Sequence, residues 1–159
     1  MELTIAPRGV LQINDARIIF KNFKGEQTKY NREGERNFAL VIPDEELADI
    51  LVNEGWNVKI KEAQEEGDIP RMHLPVKIKF NDRGPHIYVI TNGRKVKLRE
   101  ETVGMLDRIY ISSSNMDIRP YDWEVNGKSG RTAYLQSMRV VQEIDRFAEQ
   151  YAEEEYPEE

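Results

Sequence analysis

The sequence contains no cysteine. That absence removes disulfides, thiolate metal ligands and cysteine nucleophiles together, and it fits a reducing compartment. Histidine is almost as scarce. His73 and His86 are the two in the chain, and neither stands in a metal-ligand spacing such as HExxH. There is no G-x-x-x-x-G-K-[ST], no G-x-G-x-x-G and no G-x-S-x-G, so phosphate-cradling loops and a nucleophile elbow are missing as well. Carboxylates are abundant, but they fall in "PDEEL", "EEGD" and the C-terminal end, which read as a helix start, a loop and a solvated run. These gaps argue against an enzyme, and nothing points to a cofactor or a metal. Long apolar segments are also missing: no run approaches the roughly 20 residues that cross a bilayer. "MELTIAPRGV" lacks the basic-then-apolar layout of a signal peptide. The expectation is a soluble, cytoplasmic chain.

What is present is charge, unevenly distributed. The 159 residues carry a net charge of −6. From Glu143 onward there are eight acids and one base, whereas residues 1–142 hold 21 acids and 22 bases. A nearly neutral body therefore precedes an acidic end. The reading is one domain over residues 1–142 and an acidic, disordered tail over 143–159.

The body is punctuated by Gly, Pro and Asn into short segments rich in β-branched and aromatic residues. "GVLQINDARIIFKNF" suits a long, bent first strand. After a polar loop, "NFALVI" reads as the second. In "PDEELADILVNEGW" Pro43 or Asp44 opens an acidic first turn, Leu47, Ile50 and Leu51 share one face, and Gly55 is the stop, so it predicts a helix. "WNVKIK", "HLPVKIKF", "HIYVIT" and "KVKL" alternate as strands, "REETVGMLDRI" predicts a short helix, and "IRPYDWEVNGKSGRTAYLQSMRV" is a hairpin. About eight strands with two short helices argue for an all-β barrel or sandwich. An OB-fold, a five-stranded Greek-key barrel, accommodates the extra hairpin strands and helices. Spacing alone does not choose between them.

The remaining signal is cations interleaved with aromatics. Single strands of nucleic acid are held by a cationic groove and by rings stacked on bases. Lys59/Lys61, Lys77/Lys79, Lys95/Lys97 and Arg17/Lys21 lie opposite the apolar faces of their strands, a pattern that edge protection also produces. The loop "KYNREGERNF" mixes Lys29, Tyr30, Arg32 and Arg36 with Phe38, which begins an apolar run and reads as core. In the hairpin, Arg119, Tyr121 and Trp123 share one face. A two-residue turn at Asn126-Gly127 pairs Val125 with Lys128 and brings Thr132, Tyr134 and Gln136 beside the rings. A longer loop brings Ala133, Leu135 and Ser137 instead, which looks like core.

At these residues the sequence resembles a family of bacteriophage-encoded single-stranded-DNA-binding proteins. The resembling segments are "NDARIIFKNFKGEQTKYNREGERNFALVIPDEE", "EGWNVK", "LPVKIKF", "REETVGMLD" and "DIRPYDWEVNGKSGRTAYLQSM", and they span most of residues 14–138. The resemblance implies an OB-fold core and binding of single strands during phage replication or recombination, in the cytoplasm of a host cell. Phosphates are expected at Lys21, Lys24, Lys29, Arg32, Arg36, Lys77, Lys79, Arg119, Lys128 and Arg131. Bases are expected on Tyr30, Tyr121, Trp123 and Tyr134, with Phe23 and Trp56 as second-line rings that suit a core equally well. The tail would compete with DNA or recruit phage or host replication proteins, and a homo-oligomer is compatible with the sequence. The alternative is a protein-interaction module of a replication complex acting through the tail. A metal-dependent nuclease is the third reading, and it requires a carboxylate cluster in the groove.

Overall fold

The computed structural model describes residues 1–61 and 71–143. The expected loop within residues 62–70 and the expected acidic tail beyond Glu143 lie outside the described residues.

Ten strands join one hydrogen-bonded sheet. They are β1 (Glu2–Ile5), β2 (Leu11–Asn14), β3 (Ile18–Asn22), β4 (Arg36–Ile42), β5 (Lys59–Lys61), β6 (Arg71–Ile78), β7 (His86–Thr91), β8 (Arg94–Leu98), β9 (Ile111–Val125) and β10 (Lys128–Gln142). One α-helix, α1 (Glu45–Asn53), and two short 3-10 turns, Pro7–Gly9 and Val103–Arg108, complete the described elements. Alternation dictates the strands' faces. In β6, Met72, Leu74, Val76 and Ile78 are all buried, while His73 and Pro75 are half-buried and Lys77 is exposed. Period two puts successive side chains on opposite sides of a sheet, so one face becomes core and the other meets solvent.

The sheet runs β1-β2-β9-β10-β6-β4-β3 and is open as a ladder. The covalent chain returns the path to its start. The expected long first strand is present as β2 and β3, bent between them at Asp15, which has φ +54°. At the bend Ala16 N–H donates to Ser114 O at 2.8 Å on β9, and Ser114 Oγ donates to Ala16 O at 2.8 Å. One residue on, Arg17 O accepts from Val41 N at 2.9 Å on the β4 side. The bent strand thus pairs with β9 through its first half and with β4 through its second. This gives a five-membered circuit: β2/β3, β4, β6, β10 and β9. The β6–β10 pair is parallel, and the β3–β4, β4–β6, β9–β10 and β2–β9 pairs are antiparallel. That is the OB-like, mostly-β architecture, with β1, β5, β7 and β8 as additions.

The core lies inside this circuit. Leu11, Phe23, Leu40, Leu74, Val76 and Ile118 are fully buried, and Phe23 stacks on Phe38 at 5.5 Å. Phe23 and Trp56 (4% exposed) are therefore core residues rather than stacking platforms. Helix α1 begins where the sequence predicts: Asp44 Oδ1 accepts from Leu47 N at 2.8 Å, an N-cap that satisfies one of the orphan donors of the first turn. It ends before Gly55, whose φ of +93° suits glycine. The helix buries Ala48 and Leu51, with Leu47 half-buried, and leaves Ile50 exposed. The apolar stripe is thus turned one position from the expected one. The predicted second helix is the 3-10 turn Val103–Arg108. It plugs the core with Val103 and Leu106, and Asp107 fastens it by accepting from Phe23 N at 2.8 Å and Lys24 N at 3.0 Å.

Candidate nucleic-acid interface

The β9–β10 hairpin settles the register that the sequence left open. Val125 pairs with Lys128 across Asn126-Gly127, followed by Trp123 with Gly130, Tyr121 with Thr132, and Arg119 with Tyr134. Asn126 and Gly127 have φ of +51° and +80°, which a tight two-residue hairpin turn needs. Cross-strand partners share a face, so Arg119, Tyr121 and Trp123 stand with Tyr134, Thr132 and Gly130. Opposite them, Ile118, Ala133 and Leu135 point into the core. Tyr121 and Trp123 are 54% and 38% exposed, well outside the core range.

The same face continues across the sheet. Tyr134 pairs with Lys77 on β6, and Lys77 pairs with Asn37 on β4. One row therefore reads Asn37, Lys77, Tyr134, Arg119, and Lys79 follows Lys77 two residues on. The rings are held in place. Tyr121 and Tyr134 meet edge to face at 6.0 Å, and the Arg119 guanidinium lies 4.8 Å from the Tyr134 centroid. Trp123 lies flat across Gly130: a Cβ there would sit 2.6 Å from indole Cζ2. Only glycine leaves that space.

Two residues that sequence reasoning did not nominate join this side of the sheet. His73 pairs with Val41 and Lys59, on the side of β6 that carries Lys77, and Phe20 meets its ring edge to face at 5.6 Å. Phe20 is 70% exposed at a bulge in β3 with φ +54°. The bulge turns an otherwise core-like "IIF" outward, and no periodicity signals that. Burial, and then the nearby Lys59 ammonium, lower the His73 pKa from its ordinary value.

Other expected contacts are placed elsewhere. Arg131 and Asp122 pair on the reverse face of the hairpin. Arg131 Nε donates to Asp122 Oδ1 at 2.7 Å and Nη2 donates to Oδ2 at 3.1 Å, while the guanidinium stacks 5.3 Å from Trp56. That hydrogen bonding holds the Asp122 carboxyl below the ordinary carboxylate value and raises Arg131. Arg36 shares the core-side parity of Phe38. It pairs with Glu100 at 3.3 Å and lies 5.8 Å from the Phe80 ring. Lys21 donates to Leu106 O and Ile109 O, both at 2.8 Å, and burial lowers its pKa. Its ammonium caps the 3-10 plug. Lys24 pairs with Glu26 at 3.5 Å. Lys29, Tyr30 and Arg32 are exposed in the β3–β4 loop, with the Lys29 ammonium 5.7 Å from the Tyr30 ring, and Lys128 is exposed at the hairpin tip. The loop, the tip and the row between them are where OB-folds take oligonucleotides. Among the described residues no group of three or more His, Asp or Glu could hold a metal ion.

A sheet face that carries rings and cations is the kind of surface on which OB-folds take single strands. Comparison with known proteins gives the particular family. The chain belongs to the phage single-stranded-DNA-binding family, whose model, "Putative phage ssDNA-binding domain", matches residues 3–159. In fold it is similar to the single-stranded DNA-binding protein from bacteriophage Enc34. The likeness to that protein in complex with ssDNA has a TM-score of 0.57 at 11% identity, covering 92% of this chain and 93% of that one. The C-terminally truncated form gives 0.54 at 13% identity, covering 91% and 97%. Among curated proteins no sequence matches significantly. The resemblance read from the sequence is thus borne out, and so is single-stranded-DNA binding as the chain's function.

Proposed function

We propose that the chain coats single-stranded DNA without catalysis and largely without sequence preference, during phage replication or recombination in the host cytoplasm. Bases stack on Tyr121, Trp123 and Tyr134, while phosphates meet Arg119, Lys77 and Lys79. The observation that carries this is the shared row: cross-strand register places Tyr134 beside both Arg119 and Lys77 on the open face. Lys29, Tyr30, Arg32 and Lys128 extend the contact at the two ends. Arg131 and Lys21 serve the fold instead, because their donors are already engaged, and Arg36 joins them through its pair with Glu100 on the core-side parity of β4.

Titration with oligo-dT tests the reading. Trp56 is buried, so quenching reports Trp123. We expect quenching at low salt that reverses as salt rises, because bound phosphates release counterions. No quenching and no binding at low salt would overturn it. The acidic residues 143–159 favour a second role, competition with DNA for the basic face or recruitment of replication proteins. Deleting them is expected to tighten binding at low salt; unchanged or weaker affinity removes the competition.

A further inference from the structure

Strands β6 and β7 both pair in parallel with β10, one after the other: β6 at Ala133 and Tyr134, then β7 from Ser137 onward. Between them the chain leaves the sheet at Lys79 and returns at His86. The excursion is a tight turn. Asn81 N donates to Gly84 O at 2.8 Å, and Asn81 Oδ1 accepts from Arg83 N at 2.8 Å. Opposite it β10 has a register irregularity at Gln136. The two irregularities leave a cavity of about 540 Å³ whose polar lining includes Lys79, Asn81, Arg83, His86, Arg119 and Gln136.

No carboxylate lines this cavity, although Asp82 sits in the same turn. Among the described residues Lys79, Arg83 and Arg119 form no ion pair, unlike Lys24, Arg36 and Arg131. Three cations converging on an open cavity without an acid repel one another unless an anion joins them. Arg119 links the cavity to the aromatic row, since it lines the one and lies 4.8 Å from the Tyr134 ring of the other. Trp123 and Arg119 are four residues apart on one strand, about 13 Å. An extended strand stacked on Trp123, Tyr121 and Tyr134 therefore delivers its backbone to the cavity mouth.

We propose that the cavity between β6 and β7 is a phosphate seat, formed by Lys79, Arg83 and Arg119 with Asn81 and Gln136 as amide donors. It receives an internal phosphodiester of the bound single strand. This rests on the proposed DNA-binding face and adds Arg83, which sequence reasoning did not nominate.

The test uses the full chain with Arg83→Ala and Lys79→Ala, and Arg94→Ala on β8 as a control outside the cavity. Anisotropy of labelled oligo-dT measures affinity against salt. Each lost single-strand phosphate contact lowers the slope of log K against log salt by about 0.7, roughly eightfold in affinity at 50 mM salt. The cavity variants are expected to show that loss, with Trp123 quenching at saturation unchanged. Arg94→Ala keeps the wild-type slope. If wild-type protein binds and the cavity variants keep its slope, the seat is wrong and the DNA-binding face stands. If wild-type protein does not bind, both fall. The losses are expected to be equal on 5′-hydroxyl and 5′-phosphate oligonucleotides; a loss seen only with the 5′-phosphate would overturn an internal phosphodiester.

Discussion

Replacing Gly130 separates DNA binding from folding. Its added Cβ would lie 2.6 Å from Trp123 Cζ2 and 2.8 Å from Cε2, closer than non-bonded carbons approach. The backbone at Gly130 is ordinary strand, so alanine there introduces no strain of its own. Gly is also the weaker strand residue by about 0.5–1 kcal/mol. The clash is relieved by lifting the indole off β10. Trp123 is 38% exposed at the hairpin arm, so little core packing is lost. Stability should therefore change by less than about 1 kcal/mol. A base–aromatic stack is worth about 1–3 kcal/mol, which corresponds to roughly 5- to 150-fold in affinity. Gly130→Ala is expected to lose affinity in that range, measured by oligo-dT anisotropy, while its unfolding free energy in urea stays within about 1 kcal/mol of wild type. The double variant Gly130→Ala/Trp123→Ala should bind no more weakly than Trp123→Ala alone, because both remove the same stack. Wild-type affinity in Gly130→Ala would refute the reasoning: the indole's seat on Gly130 would then not define the stacking surface. Additive losses in the double variant would refute it equally.

Arg131→Ala should leave the salt slope unchanged, because its guanidinium is bound to Asp122 on the reverse face, whereas Lys77→Ala should lower it by about 0.7. Phe20→Ala is expected to cost little stability, since the ring is 70% exposed, yet to weaken binding to longer oligonucleotides; unchanged affinity at every length would remove Phe20 from the DNA face. Trp56→Ala should cost about 3–5 kcal/mol in denaturant unfolding, as expected for a large aromatic removed from a core. Asp122 has a pKa lowered by its hydrogen bond to Arg131, so the pair's contribution is fully present above the unfolded value of 3.8 and disappears as pH falls through the lower folded value. The stability difference between wild type and Asp122→Asn should therefore be constant near neutrality and vanish in acid; a difference that grows in acid would contradict the pairing.

Much of the fold was legible because it rests on local chemistry. The alternation in "HLPVKIKF" assigned Lys77 and Lys79 to solvent and Val76 and Ile78 to the core, since period two admits no other arrangement on a half-buried strand. Pro43-Asp44 and Gly55 marked the ends of α1 through groups that act within one turn, and of the two possible starts the helix uses the Asp44 cap. Asn126-Gly127 named the hairpin turn, and two possible registers were already the whole of the ambiguity. The resemblance carried by several ordered segments named the family.

Other features depend on contacts between residues far apart in the chain, which no local pattern encodes. Lys21 looks like a free cation in sequence, but the fold brings two distant backbone carbonyls to it, and it brings the Trp56 ring to Arg131. Phe20 looks like core, and a bulge against β4 turns it out beside His73. The row from Asn37 through Lys77 and Tyr134 to Arg119 joins four strands, two of them in parallel pairing that only the crossover creates. Composition and periodicity by themselves determined which residues face water on regularly alternating strands such as β6. Tertiary pairing alone decided which of those faces adjoin, and which cations remain unpaired among the described residues, because register and long-range partners are properties of the assembled sheet.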